Sequence, residues 1–456
     1  MVSAQSDLAT EHDGHAFPDP VVEIEENVYS YEPPNNGAFP FWCWGSTCIA
    51  LSGSQVFVSG LETLKGVEPL NNVRWLLFER TARGWQLQQR DEQERTREPC
   101  PLAAFPDGRL WLSANPVRGS LPQNNPAEPL LLEFSVGAVQ SPYRTWRPPW
   151  EEHTRPFTEH SYRGLAADGP NRELLLLNIL GYDKDYWAFL DRDGRWSARG
   201  TLTFPWSREF NVSLRLCYPV VALSNRAAHI FAVSDIVEPV QEWKEFKFAL
   251  TQRQWDYAFR RLYYTWTPDI TREPFSPWLE VANQERTAGH TTNLDLWVAP
   301  DGAAHLLWLE RTLDVRLRDR FFPGEQLTTS LEYAVIRRGQ IASRRTLVKA
   351  NEGAAAPAPL WGRLHATRED QLLAFYSLAR GESQPASAAA NLLMNLSSES
   401  GSHEAAEVRL AQPFGPYFMT ATERGGSPPS RVLHVLGLGS DQTVRYSRIN
   451  LGGTRN

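Results

Sequence analysis

The stretch LDLWVAPDGAAHLLWLER, at residues 294–311, places a Pro-Asp-Gly turn between two apolar runs, and this unit decides the fold. Six other stretches repeat it: CIALSGSQVFVSG (48–60), PLAAFPDGRLWLSAN (101–115), YRGLAADGPNRELLLLN (162–178), YPVVALSNRAAHIFAVSD (218–235), RLHATREDQLLAFYSL (363–378) and YFMTATERGGSPPSRVLHVLGLG (417–439). Short apolar runs separated by turn residues are typical of β-hairpins. Repetition along a chain indicates a repeat architecture. Seven hairpins, each followed by one or two more strand-like runs, predict an all-β, seven-bladed β-propeller with four-stranded antiparallel blades.

The two ends of the chain complete this prediction. After the last hairpin only TVRYSRINL (443–451) remains, which leaves the last blade one strand short. The segment VVEIEENVYSYE (21–32) alternates partly like a strand, so we expect it to join the C-terminal blade and close the ring. The predicted domain organisation is a disordered acidic tail over 1–20 and a single propeller over 21–452.

Two insertions interrupt the repeats. Within 238–259, Trp243, Phe246 and Leu250 have helical spacing, which predicts one short helical insertion in blade four whose apolar side packs on the propeller. Asp235 and Glu238 near its start are candidates to cap that helix. The range 381–407 is rich in Ser, Ala and Gly and is expected to be a flexible loop around one short strand.

Composition excludes several classes of function. With 53 acidic and 46 basic residues the formal net charge is −7, which disfavours nucleic acid and anionic membrane surfaces as partners. The sequence contains no apolar run of the roughly 20 residues that a membrane helix needs. Its first residues show no secretory signal, so a cytoplasmic location is expected. The four cysteines lack zinc-site spacing, and no nucleotide-binding motif is present. No cofactor is predicted, and a structural or carboxylate-bridging metal ion is left open because loops of different blades can supply ligands.

The topology predicts where a site would form. Loops that enter first strands and leave second strands open on one face of a propeller, so their residues converge there. The densest cluster is FTEHSYRG at 157–164, and the predicted catalytic residues are His160, Tyr162, Tyr218 and Arg215. Aromatic faces stack on sugar rings, while Arg, Asn and Asp bind hydroxyls or carboxylates. The predicted substrate-binding residues are Arg163, Trp42, Trp44, Asn115, Asp235, His290, Arg363 and Tyr417.

These residue types suit one chemistry in particular. A His and a Tyr facing one funnel can act as base and acid, and Arg215 or Arg163 can neutralise a substrate carboxylate. Together they could remove the proton next to a uronate carboxylate and expel the glycosidic oxygen. A purely structural role remains the alternative for His160, and it is the favoured interpretation for His290.

The repeats, the His-x-Tyr cluster and the stretch DRDGRW at 191–196 resemble the BNR-repeat, sialidase-like propellers. Within that superfamily the chain is loosely similar to propeller polysaccharide lyases, such as ulvan lyases and the group that cleaves rhamnose–glucuronate linkages. The resemblance implies a His and a Tyr at the channel mouth with an Arg for the uronate. The matching positions are His160, Tyr162 or Tyr218, and Arg215.

The primary hypothesis is therefore a carbohydrate-active propeller enzyme, a lyase that performs β-elimination on a uronate-containing glycan or oligosaccharide. A glycoside hydrolase is the alternative, and it needs two carboxylates facing each other at roughly 5 to 10 Å. Its candidates are Glu98, Glu159, Asp235 and Glu310. A non-catalytic propeller that binds glycan or protein is a third hypothesis, because fold does not fix function.

Overall fold

The computed structural model describes residues 19–120, 124–153, 155–160, 162–379, 388–397 and 405–452. Seven four-stranded antiparallel sheets carry most of the regular structure in this part of the chain. The first strands of successive sheets contact one another, so the sheets are arranged as blades around a central channel. The predicted seven-bladed β-propeller is confirmed.

The strands of each blade follow in chain order from the channel outward, except in blade seven. Blades one to three consist of Ile49–Ser52, Gln55–Thr63, Val73–Thr81 and Gly84–Arg90; Leu102–Ala104, Arg109–Ala114, Leu130–Ser135 and Arg144–Trp146; and Gly164–Asp168, Glu173–Leu180, Lys184–Leu190 and Trp196–Thr203. Blades four and five consist of Leu216–Ser224, Ala227–Ser234, Arg261–Thr267 and Leu279–Asn283; and His290–Val298, Ala304–Arg311, Thr328–Arg337 and Gln340–Asn351. Blades six and seven consist of Pro359–Ala366, Leu372–Ala379, Ala388–Asn395 and Ala405–Val408; and Met419–Thr420, Val432–Leu438, Thr443–Asn450 and Val21–Ser30.

Short elements decorate the loops. Three two-stranded pairs are formed by Pro126–Ala127 with Phe157–Thr158, Trp206–Ser207 with Val212–Ser213, and Ile236–Val237 with Tyr257–Ala258. The described helices are Gln241–Thr251 and Arg318–Phe321, with 3-10 turns at Val136–Ala138 and Glu285–Thr287. Within the described residues, none of the helices combines the length and apolar character that crossing a bilayer requires.

The N-terminal strand closes the ring as predicted. Val21–Ser30 pairs antiparallel with Thr443–Asn450 and so completes blade seven. It also ties blade seven to blade one, because the Tyr29 ring stacks on Phe78 at 5.1 Å and Glu26 forms an ion pair with Arg80 at 2.8 Å. The two chain ends therefore share one sheet, in which Val21–Ser30 is the outermost strand. The tail predicted over 1–20 lies outside the described residues except for its last two.

The apolar faces of the blades pack against each other and form the core. Trp75, Trp111 and Trp308 are fully buried within these faces. Part of the high tryptophan content therefore serves packing between sheets. Asp107 and Gly108 form the hairpin turn of blade two, where Gly108 has a φ of +87° that other residues rarely adopt.

The helical insertion in blade four is present, but its buried contact is an ionic one. The apolar side chains Trp243 and Phe246 pack on Phe322 and Phe321 of the next loop, and Leu250 is exposed. Lys247 is buried, and its Nζ lies 2.6 Å from Glu238 Oε2. Glu238 is therefore an internal partner of the helix and does not cap it.

The range expected to be a flexible loop, 381–407, contributes two strands to blade six. Ala388–Asn395 pairs with Leu372–Ala379, and Ala405–Val408 pairs with Ala388–Asn395 in turn. The sequence predicted one short strand here, whereas the structure has two. The second was missed because a segment rich in Ala and Asn shows little alternation between apolar and polar residues. Residues 380–387 and 398–404 lie outside the described part of the chain.

Residues 41–47, named here the channel segment, cross the central channel before blade one begins. The carbonyl of Trp44 accepts a hydrogen bond from Arg363 of blade six at 2.8 Å, and that of Gly45 accepts one from Arg424 at 2.7 Å. On the other side, Ser46 Oγ accepts a hydrogen bond from the amide of Leu165 in blade three at 3.1 Å. Because the channel segment is hydrogen-bonded to blades on opposite sides of the ring, it fills the channel. It therefore forms the floor of any site at the channel entrance.

Candidate functional site

A cavity of about 900 Å³ opens where the first strands begin, and we call it the mouth cavity. This volume lies within the range of about 300–1,000 Å³ that small-molecule sites occupy. Five of the predicted site residues line it: Trp42, Trp44, Tyr218, His290 and Tyr417. Phe259, Trp361 and Arg311 also line it. Its position agrees with the expectation that the loops of one face converge.

The floor of the mouth cavity is a continuous aromatic surface. The ring of Trp44 stacks on Tyr218 with centroids 3.7 Å apart, and it lies 6.0 Å from Trp361 and 5.9 Å from Tyr417. Trp42 meets Tyr218 edge to face at 5.6 Å. Two of these rings, Trp42 and Trp44, belong to the channel segment, so the segment that fills the channel also supplies the stacking surface. Such faces suit the apolar faces of sugar rings.

Three tyrosines at the starts of first strands have an unusual backbone. Tyr162, Tyr218 and Tyr417 have φ values of +39°, +50° and +64°, in the left-handed region that bulky residues rarely adopt. Each such conformation costs on the order of 1–3 kcal/mol and tends to occur at functional sites. This backbone conformation accompanies a cluster of the three rings. The ring of Tyr162 lies 4.8 Å from that of Tyr218, and the rings of Tyr218 and Tyr417 both contact Trp44.

His160 lies beside this group and is held by a buried carboxylate. Its Nδ1 is 3.0 Å from Oε1 of Glu98, whose side chain is 1% exposed, while the His160 side chain is 30% exposed. The ring of His160 lies 4.2 Å from that of Tyr162. Burial acts to raise the pKa of Glu98, but the hydrogen bond and charge of His160, with Arg97 and Arg163, lower it overall. Glu98 therefore stays ionised and orients the imidazole with its Nε2 available.

Arg215 is the cationic member of the group. Its Nη2 lies 2.5 Å from Oδ2 of Asp235, and both side chains are almost fully buried. The guanidinium faces three tyrosine rings, Tyr162 at 5.5 Å, Tyr182 at 4.4 Å and Tyr257 at 5.3 Å. Burial acts to lower the pKa of Arg215, but the charge of Asp235, together with Tyr162, Cys217 and Tyr182, raises it overall. The predicted residues His160, Tyr162, Tyr218, Arg215 and Asp235 thus lie together, and with Glu98 we call them the histidine–tyrosine cluster.

The two phenols of the cluster are protonated. Burial raises the pKa of Tyr162 well above its usual value of about 10, and the charge of Asp235 raises it further. Burial likewise raises the pKa of Tyr218. A phenol in this state can donate a proton but does not serve as a base at neutral pH. Of the side chains in the cluster, the imidazole of His160 is therefore the one that could accept a proton at neutral pH.

Three predicted binding residues are structural. Arg363 is buried, and its guanidinium donates to the carbonyls of Phe418, Leu294 and Trp44. Arg163 is buried and donates to the carbonyls of Ser113, at 3.0 Å, and Pro99, at 2.5 Å. Asn115 is buried and donates to the carbonyl of Thr158 at 3.0 Å. Strand ends inside the ring leave carbonyls that need donors, and these three side chains supply them. None of the three is among the described residues that line the mouth cavity.

The carboxylates proposed for hydrolysis are separately engaged. Glu159 is buried and accepts the amide of Asn124 at 2.6 Å. Glu310 accepts from Gln284, Trp308 and Arg344, and it lies on the outer side of its strand. Glu98 and Asp235 are bound to His160 and Arg215 as described. None of the four is among the described residues that line the mouth cavity.

Some members of the site were not selected from the sequence. Tyr257 and Phe259 lie at the end of the insertion 238–259, after its helix, so no hairpin signal marks them. Glu98 and Arg311 were both expected at loop ends that open on this face, but neither was selected as a binding residue: Glu98 was a candidate hydrolytic carboxylate, and Arg311 was thought to form a solvated ion pair with Glu310. Across the described part of the chain, no three His, Cys, Asp or Glu side chains come together in a way that could hold a metal ion.

Comparison with known proteins finds similarity in structure and none in sequence. The sequence matches no protein-family model and, at a significant level, none of the curated proteins. An ulvan lyase, a polysaccharide lyase bound to -[GlcA(1-4)Rha3S]-, superimposes with a TM-score of 0.53 at 9% identity over 93% of this chain and 95% of its own. The polysaccharide lyase Uly1 superimposes with a TM-score of 0.51 at 11% identity over 89% and 90%. An α-L-arabinanase of Penicillium chrysogenum, complexed with arabinobiose, reaches 0.46 at 12% identity over 95% and 99%. At these identities the similarity to the two lyases shows a shared fold and no more.

Proposed function

We propose that this protein is a carbohydrate-active enzyme that cleaves a uronate-containing glycan by β-elimination. One observation carries the proposal: Glu98 holds His160 beside Tyr162, and Tyr162 contacts Tyr218, which also lines an aromatic cavity large enough for an oligosaccharide. A base, a proton donor and a stacking surface are the parts that this reaction requires.

Each step has a candidate group in the cluster. His160 Nε2 removes the proton from the carbon next to the uronate carboxylate. The electron pair that is released forms a carbon–carbon double bond, and the glycosidic bond to the leaving oxygen breaks. Tyr162 or Tyr218 gives its proton to that oxygen. Negative charge develops on the carboxylate in between, and a nearby cation stabilises it.

Arg215 is the candidate for that cation. Asp235 takes two of its five N–H donors, through its side chain and its backbone carbonyl. The guanidinium lies under Tyr182, a side chain that is 61% exposed and can move aside. Arg163 has no such role, since backbone carbonyls occupy it. The uronate class is also the one to test first, because the two lyases named above share this fold.

The glycoside hydrolase alternative finds less support in the geometry. It needs one carboxylic acid and one carboxylate facing a substrate across a gap. Of the described residues that line the mouth cavity, one carries a carboxylate, Glu352, and it is bound by Arg318 at 2.6 Å. A facing pair is therefore not part of the described cavity wall.

The experiment is to incubate the protein with a panel of polysaccharides and to follow the ultraviolet absorbance of the unsaturated uronate product. The panel holds glucuronate-rich and galacturonate-rich glycans and a neutral arabinan, whose hydrolysis would release reducing ends without new absorbance. We expect turnover of an acidic member. His160→Gln should lower kcat by about 100-fold to 10,000-fold, the usual contribution of a general base. Tyr162→Phe should lower it as well.

The matched control is His153→Gln. His153 is a half-buried histidine seven residues earlier, and its Nδ1 contacts the carbonyl of Arg155 at 2.7 Å. It should leave kcat within about twofold of the parent, since it touches no member of the cluster. Full activity in His160→Gln contradicts the mechanism. Release of reducing ends without the double bond contradicts the reaction class and favours the hydrolase.

A further inference from the structure

Arg311 lies in the wall of the mouth cavity on blade five, next to the blade that carries Tyr218 and Arg215 of the histidine–tyrosine cluster. It ends the second strand of blade five, directly across from His290 on the first strand. Both residues line the mouth cavity, and Arg311 is exposed to it. Phe259 lies between this wall and the cluster, with its ring 5.5 Å from His290 and 6.3 Å from Tyr218. One aromatic side chain thus separates the two walls.

Arg311 has no counter-charge among the described residues. The sequence suggested an ion pair with Glu310, but neighbours on a strand point to opposite faces. Glu310 is instead bound on the other face by Arg344 at 2.6 Å and by Trp308 at 2.7 Å. Every ion pair found in the described part of the chain involves other arginines, lysines or histidines. A cation without a partner beside an aromatic floor is available for a ligand.

The remaining charges of the described cavity wall do not compete for this cation. Glu352 is held by Arg318, whose Nη2 lies 2.6 Å from its Oε2. Desolvation by the surrounding wall and the adjacent Arg311 charge both lower the pKa of His290, so this partly exposed imidazole does not add a second positive charge near pH 7. Within the described wall, Arg311 is therefore the single uncompensated charge, and it is positive.

We propose that Arg311 forms an anion-binding subsite, which holds a second acidic group of the glycan while a uronate reacts at the histidine–tyrosine cluster. The group is a carboxylate or a sulfate ester, since a guanidinium binds either through paired N–H donors. The inference rests on the proposed function in taking an acidic glycan as the ligand. It adds that the substrate carries acidic groups on neighbouring sugars and that a lone uronate binds poorly.

Binding is measured by tryptophan fluorescence in the His160→Gln background, so that turnover does not consume the probe. Three probes are compared: a glucuronate tetrasaccharide, the same tetrasaccharide with its carboxyls reduced to alcohols, and a sulfated tetrasaccharide without uronate. Arg311→Gln should raise the Kd of the acidic probe that binds by about 10-fold to 100-fold. Arg311→Lys should fall between, and added salt should weaken binding to the parent more than to Arg311→Gln.

Two controls separate charge from packing. Arg83→Gln removes an exposed arginine from the turn before Gly84–Arg90, at the outer edge of blade one, and should leave every Kd unchanged. The reduced probe should bind parent and Arg311→Gln alike. If the carboxylate probe alone depends on Arg311 the anion is a uronate, and if the sulfated probe alone does it is a sulfate.

The inference is overturned if Arg311→Gln binds acidic probes as tightly as its parent, if it weakens the reduced probe equally, or if neither acidic probe binds. Its failure is distinct from that of the proposed function, which is scored by formation of the double bond in the wild-type protein. If Arg311→Gln leaves both turnover and binding unchanged, the proposed lyase activity is retained and the subsite is rejected. If binding depends on Arg311 but the wild-type protein forms no double bond, the subsite is retained and the protein is a non-catalytic glycan-binding propeller.

Discussion

Replacing Gly45 by alanine should loosen the channel segment and the floor of the mouth cavity together. A Cβ at this position would lie 2.2 Å from the carbonyl oxygen of Pro219 and 2.6 Å from that of Tyr218. Ordinary van der Waals contact begins at 3.4 Å, so the segment must move by about 1 Å. Both obstacles are backbone atoms of blade four, and they cannot turn aside as a side chain would.

Such a shift breaks the bonds that anchor the segment. Arg424 donates to the carbonyl of Gly45 at 2.7 Å and Arg363 to that of Trp44 at 2.8 Å. A hydrogen bond from a charged donor contributes about 1.5–3 kcal/mol. Losing two of them predicts that Gly45→Ala lowers the free energy of unfolding by about 3–6 kcal/mol. Stacking of Trp44 on Tyr218 should be lost with them.

The assay is chemical denaturation followed by tryptophan fluorescence, with Gly137→Ala as the matched control. Gly137 lies in the 3-10 turn Val136–Ala138 of blade two, and a Cβ there meets no atom within 4 Å. Its substitution should change the unfolding free energy by less than about 1 kcal/mol. A Gly45→Ala protein as stable as the wild type, or a Gly137→Ala protein equally destabilised, would refute the role given to the channel segment.

Two other changes test the cluster and the core. Glu98→Gln should lower kcat by about 10-fold to 100-fold, as loss of a group that orients a functional histidine does, and it should add little in a His160→Gln background. The control is Glu159→Gln: this glutamate is equally buried, but its side chain bonds the amide of Asn124 and not the His160 ring, so kcat should stay unchanged. Equal losses in both variants would contradict the assignment. Burial lowers the pKa of His229 to about 4 and that of His434 to about 3. The unfolded chain takes up these protons near pH 6.5, so the free energy of unfolding should be highest above that pH and should fall between pH 6.5 and pH 4, by about 3 kcal/mol for His229. In His229→Phe the free energy of unfolding should depend less on pH, as measured by denaturation across that range.

Much of the fold followed from local signals. Each hairpin carries its own turn residues and alternation, and both act over fewer than about 20 residues. The pairing of Val21–Ser30 with Thr443–Asn450 was also predictable, because an incomplete last blade needs one more strand. The outer strands of blade six were predicted less accurately. Ala388–Asn395 lacks strong alternation of apolar and polar residues, and its position in the sheet is set by pairing with Leu372–Ala379.

The residues of the mouth could be proposed from the sequence only as a set. Topology places His160, Tyr162, Tyr218 and Arg215 at the same end of the channel, and the structure brings them together. That Glu98 orients His160 depends on the folded ring, because the two come from segments 62 residues apart.

The sequence by itself determined the number of blades, the closure of the ring and the face on which polar loop residues gather, because strand periodicity and turn chemistry are local. Only the tertiary structure decided which arginines meet solvent. Arg163 and Arg363 are consumed by backbone carbonyls that distant strands leave unpaired, while Arg311 faces an aromatic cavity without a counter-ion in the described chain. A guanidinium binds whichever acceptors surround it. Those acceptors belong to segments that are distant in sequence. Whether an arginine binds backbone carbonyls or faces the cavity is therefore decided only in the folded ring.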